Sequence, residues 1–233
     1  MSTQPNLTIG IPVCGDYAGL YATLQALRLY HDLTDVELLV VDNNKQPSEL
    51  TERLCKRIGA KYVYYYNGGG SAIAKNKVFD AASGSWVLCL DSHVFLYKNT
   101  IDKIKEYIKN NPTSIDLLQG PLIHDELSET SYETHWNPIW SNGMFGVWAK
   151  DEKKYLIGEP FEILMQGCGL MLMRKEAWPK FNPLFVGFGA EEGYIQEKVR
   201  RRGGSTLCVP WLKWVHRFNN DVPKTYSNTY QVS

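Results

Sequence analysis

A short apolar run, Leu7 to Val13, is closed by Pro12 and Gly15, the pattern of a first buried strand. Leu20, Leu24, Leu27 and Leu29 then recur at near-helical spacing, and Val36 to Val41 predicts a second strand that ends in Asp42-Asn43-Asn44. A helix through Leu50 and Leu54 leads to a third strand, Tyr62 to Tyr66, interrupted by Gly68-Gly69-Gly70. Ala72 to Ala82 reads as a helix, and Trp86 to Leu90 as a fourth strand running into Asp91-Ser92-His93. Strands that alternate with helices imply βαβ units and a mostly parallel α/β sheet. Ligands bind such sheets beyond the carboxyl ends of the strands, where Asp42, the glycine run and Asp91 to His93 all fall.

The pattern is less regular beyond this point. Residues 124–165 are polar and predict a loop-like stretch, yet they hold Trp136, Trp140 and Trp148. Aromatic residues favour a core, with a stacking platform for an acceptor sugar or base as the competing role. Gly169 to Met173 predicts a strand, followed by a short segment with Trp178 and Pro179. Gly189-Ala190-Glu191-Glu192 opens a helix ending near Gly203-Gly204, and a last strand, Thr206 to Val209, leads to Trp214-Val215-His216. The chain shows no internal repeat and no linker, so residues 1–233 are expected to form one domain.

Twenty-five basic residues balance 25 acidic ones, so no global field selects nucleic acid or an anionic membrane. The basic run Lys198, Arg200, Arg201, Arg202 is expected to be the solvated end of a helix. The five cysteines (Cys14, Cys55, Cys89, Cys168, Cys208) have no CxxC pairing, which argues against zinc and for a reducing compartment. The start, Met1 to Asn6, lacks a signal-peptide pattern, and no apolar run reaches the ~18 residues of a membrane span. A cytoplasmic location is expected.

Asp91 and His93 lie two apart at a strand end, so in extended geometry both side chains leave on one face. That pair is either a partial divalent-cation site or a hydrogen bond closing a turn. The run Gly84-Ser85-Trp86-Val87-Leu88-Cys89-Leu90-Asp91-Ser92-His93 resembles the strand carrying the metal-binding DxD or DxH motif of GT-A-fold glycosyltransferases. Its DxH form is similar to that of the polypeptide N-acetylgalactosaminyltransferases. Ala74-Lys75-Asn76 followed by Ala81, Ala82 and Gly84 resembles the preceding helix of the wider inverting family. Gly187-Phe188-Gly189-Ala190-Glu191-Glu192 resembles the family's W-G-G-E-N/D segment, and Gly203 to Pro210 through His216 the segment supplying the third metal ligand.

The resemblance implies a Rossmann-like, mostly parallel sheet flanked by helices, Mn²⁺ (or Mg²⁺), and a nucleoside-diphosphate sugar, with UDP by analogy. Residues of about 1–98 would form its nucleotide-binding half, and those of about 99–233 the acceptor-side half with a C-terminal loop. It implies Asp91, His93 and His216 as metal ligands, and Pro12, Asp42, Lys75, Asp91, Ser92, Gly169 and Arg217 as positions against the nucleotide sugar. Mixed carboxylate and imidazole ligation suits Mn²⁺ better than Mg²⁺. Asp42 carries equal alternatives, a contact to the nucleotide or a cap on its own turn. Lys75 is either a donor contact or an exposed helical lysine.

Glu191 and Glu192 fall where a helix begins and its dipole stabilises carboxylates. In the resemblance Glu191 is the glutamate of W-G-G-E, and Glu192 takes the next position. Inverting relatives place an aspartate base there and retaining relatives an asparagine, so glutamate leaves the stereochemistry open. Phe188 replaces the usual tryptophan, Gly68 an arginine, and Asn219 an arginine expected three residues after His216. His31, His124 and His135 lack a metal-site setting. The polar segment 217–226 is expected to be a loop, with equal alternatives: one that orders when Arg217 and Lys224 meet the donor's diphosphate, or an ordinary frayed C-terminus.

Two rival classes remain. A sugar nucleotidyltransferase would want a basic glycine-rich loop after the first strand, and Pro12-Val13-Cys14-Gly15-Asp16 is not one. A carbohydrate-binding domain explains the tryptophans but not Asp91, His93 and His216 together. The acceptor stays open among a glycan, a lipid-linked sugar, a protein hydroxyl and a modified DNA base. The oligomeric state is equally open.

Overall fold

The structure is a computed structural model that describes residues 6–66, 68, 70–124, 127, 131–141, 144–185 and 191–217. The expectations for Gly69, Gly187 to Ala190, and residues 218–226 lie outside the described residues. In chain order the first half runs β1 (Leu7–Val13), α1 (Tyr17–Tyr30), β2 (Val36–Asp42), α2 (Glu49–Ile58), β3 (Lys61–Tyr64), α3 (Ser71–Ala81) and β4 (Trp86–Leu90). Then come β5 (Val94–Leu96), α4 (Thr100–Asn110), β6 (Leu117–Gln119), β7 (Leu122–Ile123), β8 (Tyr132–Glu133), β9 (His135–Ser141) and β10 (Met144–Ala149). The chain continues with α5 (Glu152–Ile157), β11 (Phe161–Glu162), β12 (Leu170–Arg174), α6 (Glu191–Arg201), β13 (Thr206–Cys208) and β14 (Trp214–His216).

One eight-stranded sheet, ordered β11-β13-β6-β12-β4-β1-β2-β3, takes strands from both halves of the chain. The pairs β4-β1, β1-β2, β2-β3 and β13-β6 are parallel, while β12 runs antiparallel between β4 and β6. β4 shows why the sheet is covered on both faces. Its alternate residues Trp86, Leu88 and Leu90 join a core with α1, α2 and α4, whereas Val87 and Cys89 join one with α3 and α6. α3 lies close on the sheet because Gly10 has no side chain; a β-carbon there would sit 2.1 Å from Val78 Cγ1. A second sheet, β5-β14-β7-β8, pairs His216 with Val94, next to His93.

Some expectations are corrected. Leu29 and Leu50 are 72% and 52% exposed, while Leu20, Leu24, Leu27 and Leu54 are buried. Leu29 stands two residues past Leu27, which carries it off the apolar stripe of a helix. The third strand ends at Tyr64, sooner than its tyrosine run implied. Residues 124–165 are not loop-like: they hold β8, the β9-β10 hairpin, α5 and β11. The hairpin's alternation is broken by a bulge between Phe145 and Val147. At the bulge Gly146 has φ +122°, and a β-carbon would lie 2.2 Å from the Trp136 ring. The three tryptophans divide: Trp136 is buried, Trp148 is half-buried edge-on to it, and Trp140 is 68% exposed.

Among the described residues, no helix is long and apolar enough to cross a membrane. Cys55, Cys89, Cys168 and Cys208 are buried as free thiols, and Cys14 is half-buried. The basic run ends α6 as expected, with Arg200 and Arg201 paired to Glu197 at 3.0 and 2.9 Å.

Candidate functional site

β4 delivers Asp91 to the carboxyl edge of the sheet, where its backbone N–H donates to Gly169 O at 2.9 Å. Gly169 is required by close approach, since a β-carbon would lie 2.8 Å from the Trp214 ring. Lys75, on α3, is not the exposed lysine that was one alternative. It is buried, and its Nζ pairs with Asp91 Oδ1 at 3.0 Å. Burial opposes the charge on both groups, yet their mutual attraction prevails, holding Asp91 below and Lys75 above their ordinary pKa values.

His93 is oriented by a residue that sequence reasoning passed over. Asp16 Oδ2 lies 2.8 Å from His93 Nδ1 and accepts the Ser92 hydroxyl at 2.8 Å. Its Oδ1 accepts the Gly19 N–H at 2.9 Å, capping α1. Burial alone would raise the Asp16 pKa, but hydrogen bonds from His93, Ser92 and Gly19 outweigh it and hold it at about 2. The readable signal was an acidic residue immediately before a helix. Thr23 Oγ1, one helical turn on, lies 2.9 and 3.0 Å from the carbonyl oxygens of Ser92 and Val94 and fixes the loop.

β14 brings in the third group. His216 Nε2 lies 3.2 Å from His93 Nε2, and the ligand atoms of Asp91, His93 and His216 all fall within 4.8 Å of one another. The next residue, Arg217, donates its N–H to His93 O at 3.2 Å and lays its guanidinium over Phe95, 5.9 Å from the ring centre. Glu191 and Glu192 begin α6 and are buried rather than solvated. Ser71, the first residue of α3, donates its hydroxyl to Glu191 Oε1. Burial, then the neighbouring Glu191 charge, push the Glu192 carboxyl well above the usual range, and its Oε2 finds no hydrogen-bond partner among the described residues.

A buried glutamine network, also missed, ties this edge together. Gln196 of α6 donates to Gln119 Oε1 at 2.9 Å and to Gln166 O at 2.8 Å, and Gln119 donates to Gly167 O at 2.8 Å. Isolated polar residues inside apolar stretches were its only sequence trace.

The structure therefore brings together Lys75, Asp91, Ser92, His93, Gly169, His216 and Arg217. Asp42 is fully buried and engaged elsewhere. It accepts from Asn44 N and Nδ2, Ser48 N and Tyr62 Oη at 2.7–3.0 Å, all around its own turn and β3. Those contacts are what the turn-capping alternative requires. Pro12 is half-buried on β1, paired with Val41 of β2.

A parallel-centred α/β sheet with a carboxylate and two imidazoles gathered at its carboxyl edge is the arrangement of a GT-A glycosyltransferase fold. The chain belongs to glycosyl transferase family 2, an enzyme family whose model matches residues 8–180. Its fold is similar to that of GalNAc-T7, solved with UDP, GalNAc and Mn²⁺, with a TM-score of 0.74 at 17% identity. That match covers 98% of this chain and 47% of GalNAc-T7. The structure of S. aureus TarS 1–349 is also similar, with a TM-score of 0.60 at 16% identity over 91% of this chain and 60% of that one. The chain thus spans about half the length of the solved structures it matches. No curated protein matches it by sequence.

Proposed function

We propose that this chain transfers a sugar from a nucleoside-diphosphate donor, a UDP-sugar, to an acceptor hydroxyl with the help of a divalent cation. The observation that carries the reading is the convergence of Asp91, His93 and His216 from two separate strand ends within 4.8 Å, in a family 2 fold. GalNAc-T7, with UDP and Mn²⁺ bound, shares that fold. The donor set fits such an ion. His93 Nδ1 is engaged by Asp16, which leaves Nε2 facing His216 Nε2, and Asp91 has a second oxygen beyond the one paired with Lys75. One carboxylate and two imidazoles favour Mn²⁺ over Mg²⁺.

When bound, the cation supplies positive charge against the departing diphosphate. The remaining work falls to the chain. Lys75 holds Asp91 ionised and in place, and Asp16 sets the His93 ring. Arg217, adjoining His216, offers a guanidinium to a phosphate oxygen. Glu192 is the base: the acceptor oxygen attacks the anomeric carbon, its proton passes to Glu192, and the bond to the diphosphate breaks with its electrons on oxygen. A carboxylate whose pKa is raised by burial is a stronger base than a solvated one. The described residues before about 98 form the nucleotide-binding half, and those after it the acceptor side apart from His216 and Arg217; the buried free thiols support a reducing, cytoplasmic setting.

Screening nucleotide sugars for hydrolysis with and without Mn²⁺ tests the reading. A Mn²⁺-dependent donor is expected, with Asp91→Ala or His216→Ala weakening the metal at least ~10-fold. Full activity of either variant at limiting Mn²⁺ would remove these residues from the site.

A further inference from the structure

The β9-β10 hairpin carries aromatic surface that the donor site does not use. Trp140 is 68% exposed in a chain that buries Trp86, Trp136, Trp178 and Trp214. It stands opposite Phe145 across the hairpin, with the two ring centres 5.4 Å apart and the planes tilted by 56°. Because the bulge shifts the register, Trp140 and Phe145 share a face with Asn137 and Val147, and Trp136 and Trp148 lie on the other face.

The hairpin adjoins the candidate site through Trp136 and through Phe145. A β-carbon at Gly167 would lie 3.0 Å from the Trp136 ring, and two residues on Gly169 O accepts the Asp91 N–H. A β-carbon at Gly193 would meet Phe145 at 3.7 Å, and Gly193 directly follows Glu192. The aromatic pair Trp140–Phe145 therefore adjoins the Glu192 side of the candidate site.

Charge narrows what it binds. Residues 135–149 contain no Asp, Glu, Lys or Arg. A polyanionic acceptor such as a nucleic acid needs cations along its path, and the hairpin sequence supplies none between His135 and Ala149. An uncharged ring with an apolar face and a polar rim fits instead. The C–H face of a pyranose packs on indole, and the exposed Asn137 offers hydrogen bonds to its hydroxyls.

We propose that Trp140 and Phe145 form an acceptor subsite that stacks on a ring of an uncharged saccharide. This rests on the sugar-transfer reading of the adjoining site. Calorimetric titration of the full chain with maltohexaose, mannohexaose and chitohexaose reads the subsite without any donor. Binding to at least one is expected, weakened about tenfold in Trp140→Ala and kept within about threefold in Trp140→Phe, which retains a ring. The melting temperature of Trp140→Ala is expected to match the parent, because an exposed side chain contributes little to the fold. Lack of binding to all three sugars, equal binding by Trp140→Ala, or Trp140-dependent capture of a DNA duplex would each overturn the proposal. Mn²⁺-dependent hydrolysis of nucleotide sugars by the unaltered protein tests the parent reading separately, so the two failures are distinguishable.

Discussion

Glu192 makes opposite predictions for stability and for catalysis, and Glu192→Gln separates them. The side chain is 5% exposed, and its carboxyl is pushed from an ordinary 4.5 up to about 8 by burial and by Glu191. A carboxyl whose folded pKa is raised binds its proton more tightly in the native state. Its ionisation therefore destabilises the fold as pH rises from 4.5 towards 8, and the native state is favoured below that window. Gln keeps the shape and cannot ionise. At pH 7 the shift corresponds to roughly 3 kcal/mol, and sharing charge with Glu191 lowers the expected gain for Glu192→Gln to about 1–3 kcal/mol. Near pH 5 the two proteins should be almost equally stable. Urea unfolding of both proteins at pH 5, 7 and 8.5 reads this directly. Turnover should move the other way, falling ~100- to 10,000-fold with little change in donor affinity if Glu192 takes the acceptor's proton. The parent's kcat/KM should rise with pH through the same window, and NMR of the product should show an inverted anomeric centre. A variant no more stable at pH 8.5, with turnover lowered less than ~100-fold, would refute both halves of the reasoning.

Three further substitutions probe the supports of the proposed metal ligands. Asp16→Asn keeps the α1 cap, since Asn caps as well as Asp, but loses the charge on His93; Mn²⁺ affinity measured by calorimetry should fall ~10- to 100-fold. Unchanged affinity would reduce Asp16 to a helix cap. Lys75→Met leaves Asp91 without its cation and should cost about 2–4 kcal/mol in urea unfolding, below the full value for a buried pair because the Asp91 side chain is 27% exposed. Mn²⁺ should stabilise that variant more than the parent, and an equal thermal shift would count against the shared role. Gly169→Ala drives a methyl into the Trp214 ring and should cost about 1–3 kcal/mol while displacing Asp91, seen as weaker Mn²⁺ binding.

Much of the local structure was legible because it follows from neighbouring residues. The apolar run Leu7–Val13 and the run Trp86–Leu90 are strands with the expected limits, and Leu20, Leu24 and Leu27 mark the buried stripe of α1. Asp91 and His93 were readable as a pair because a strand end places residues two apart on one face. The hairpin was not legible, since the bulge at Gly146 breaks the period-2 signal, and the positive φ and the Trp136 ring that keep glycine there are seen only in the folded chain. Lys75 illustrates the same limit: a donor contact and an exposed helical lysine were its two alternatives, and only the packing of α3 on the sheet buries it against Asp91.

The sequence by itself determined the strands and helices from Leu7 to Leu90, save the end of β3, and which residue types stand at the strand ends. Tertiary structure decided which of those ends meet. Asp16 and His93 are 77 residues apart and His93 and His216 are 123 apart, yet both pairs are in contact. Asp42, equally promising at its own strand end, is turned inward by four donors around its turn and β3. Spacing along the chain encodes direction over a few residues, because backbone geometry repeats. Contact between distant strand ends depends on register and on close approach at glycines such as Gly10 and Gly169, which local periodicity does not carry.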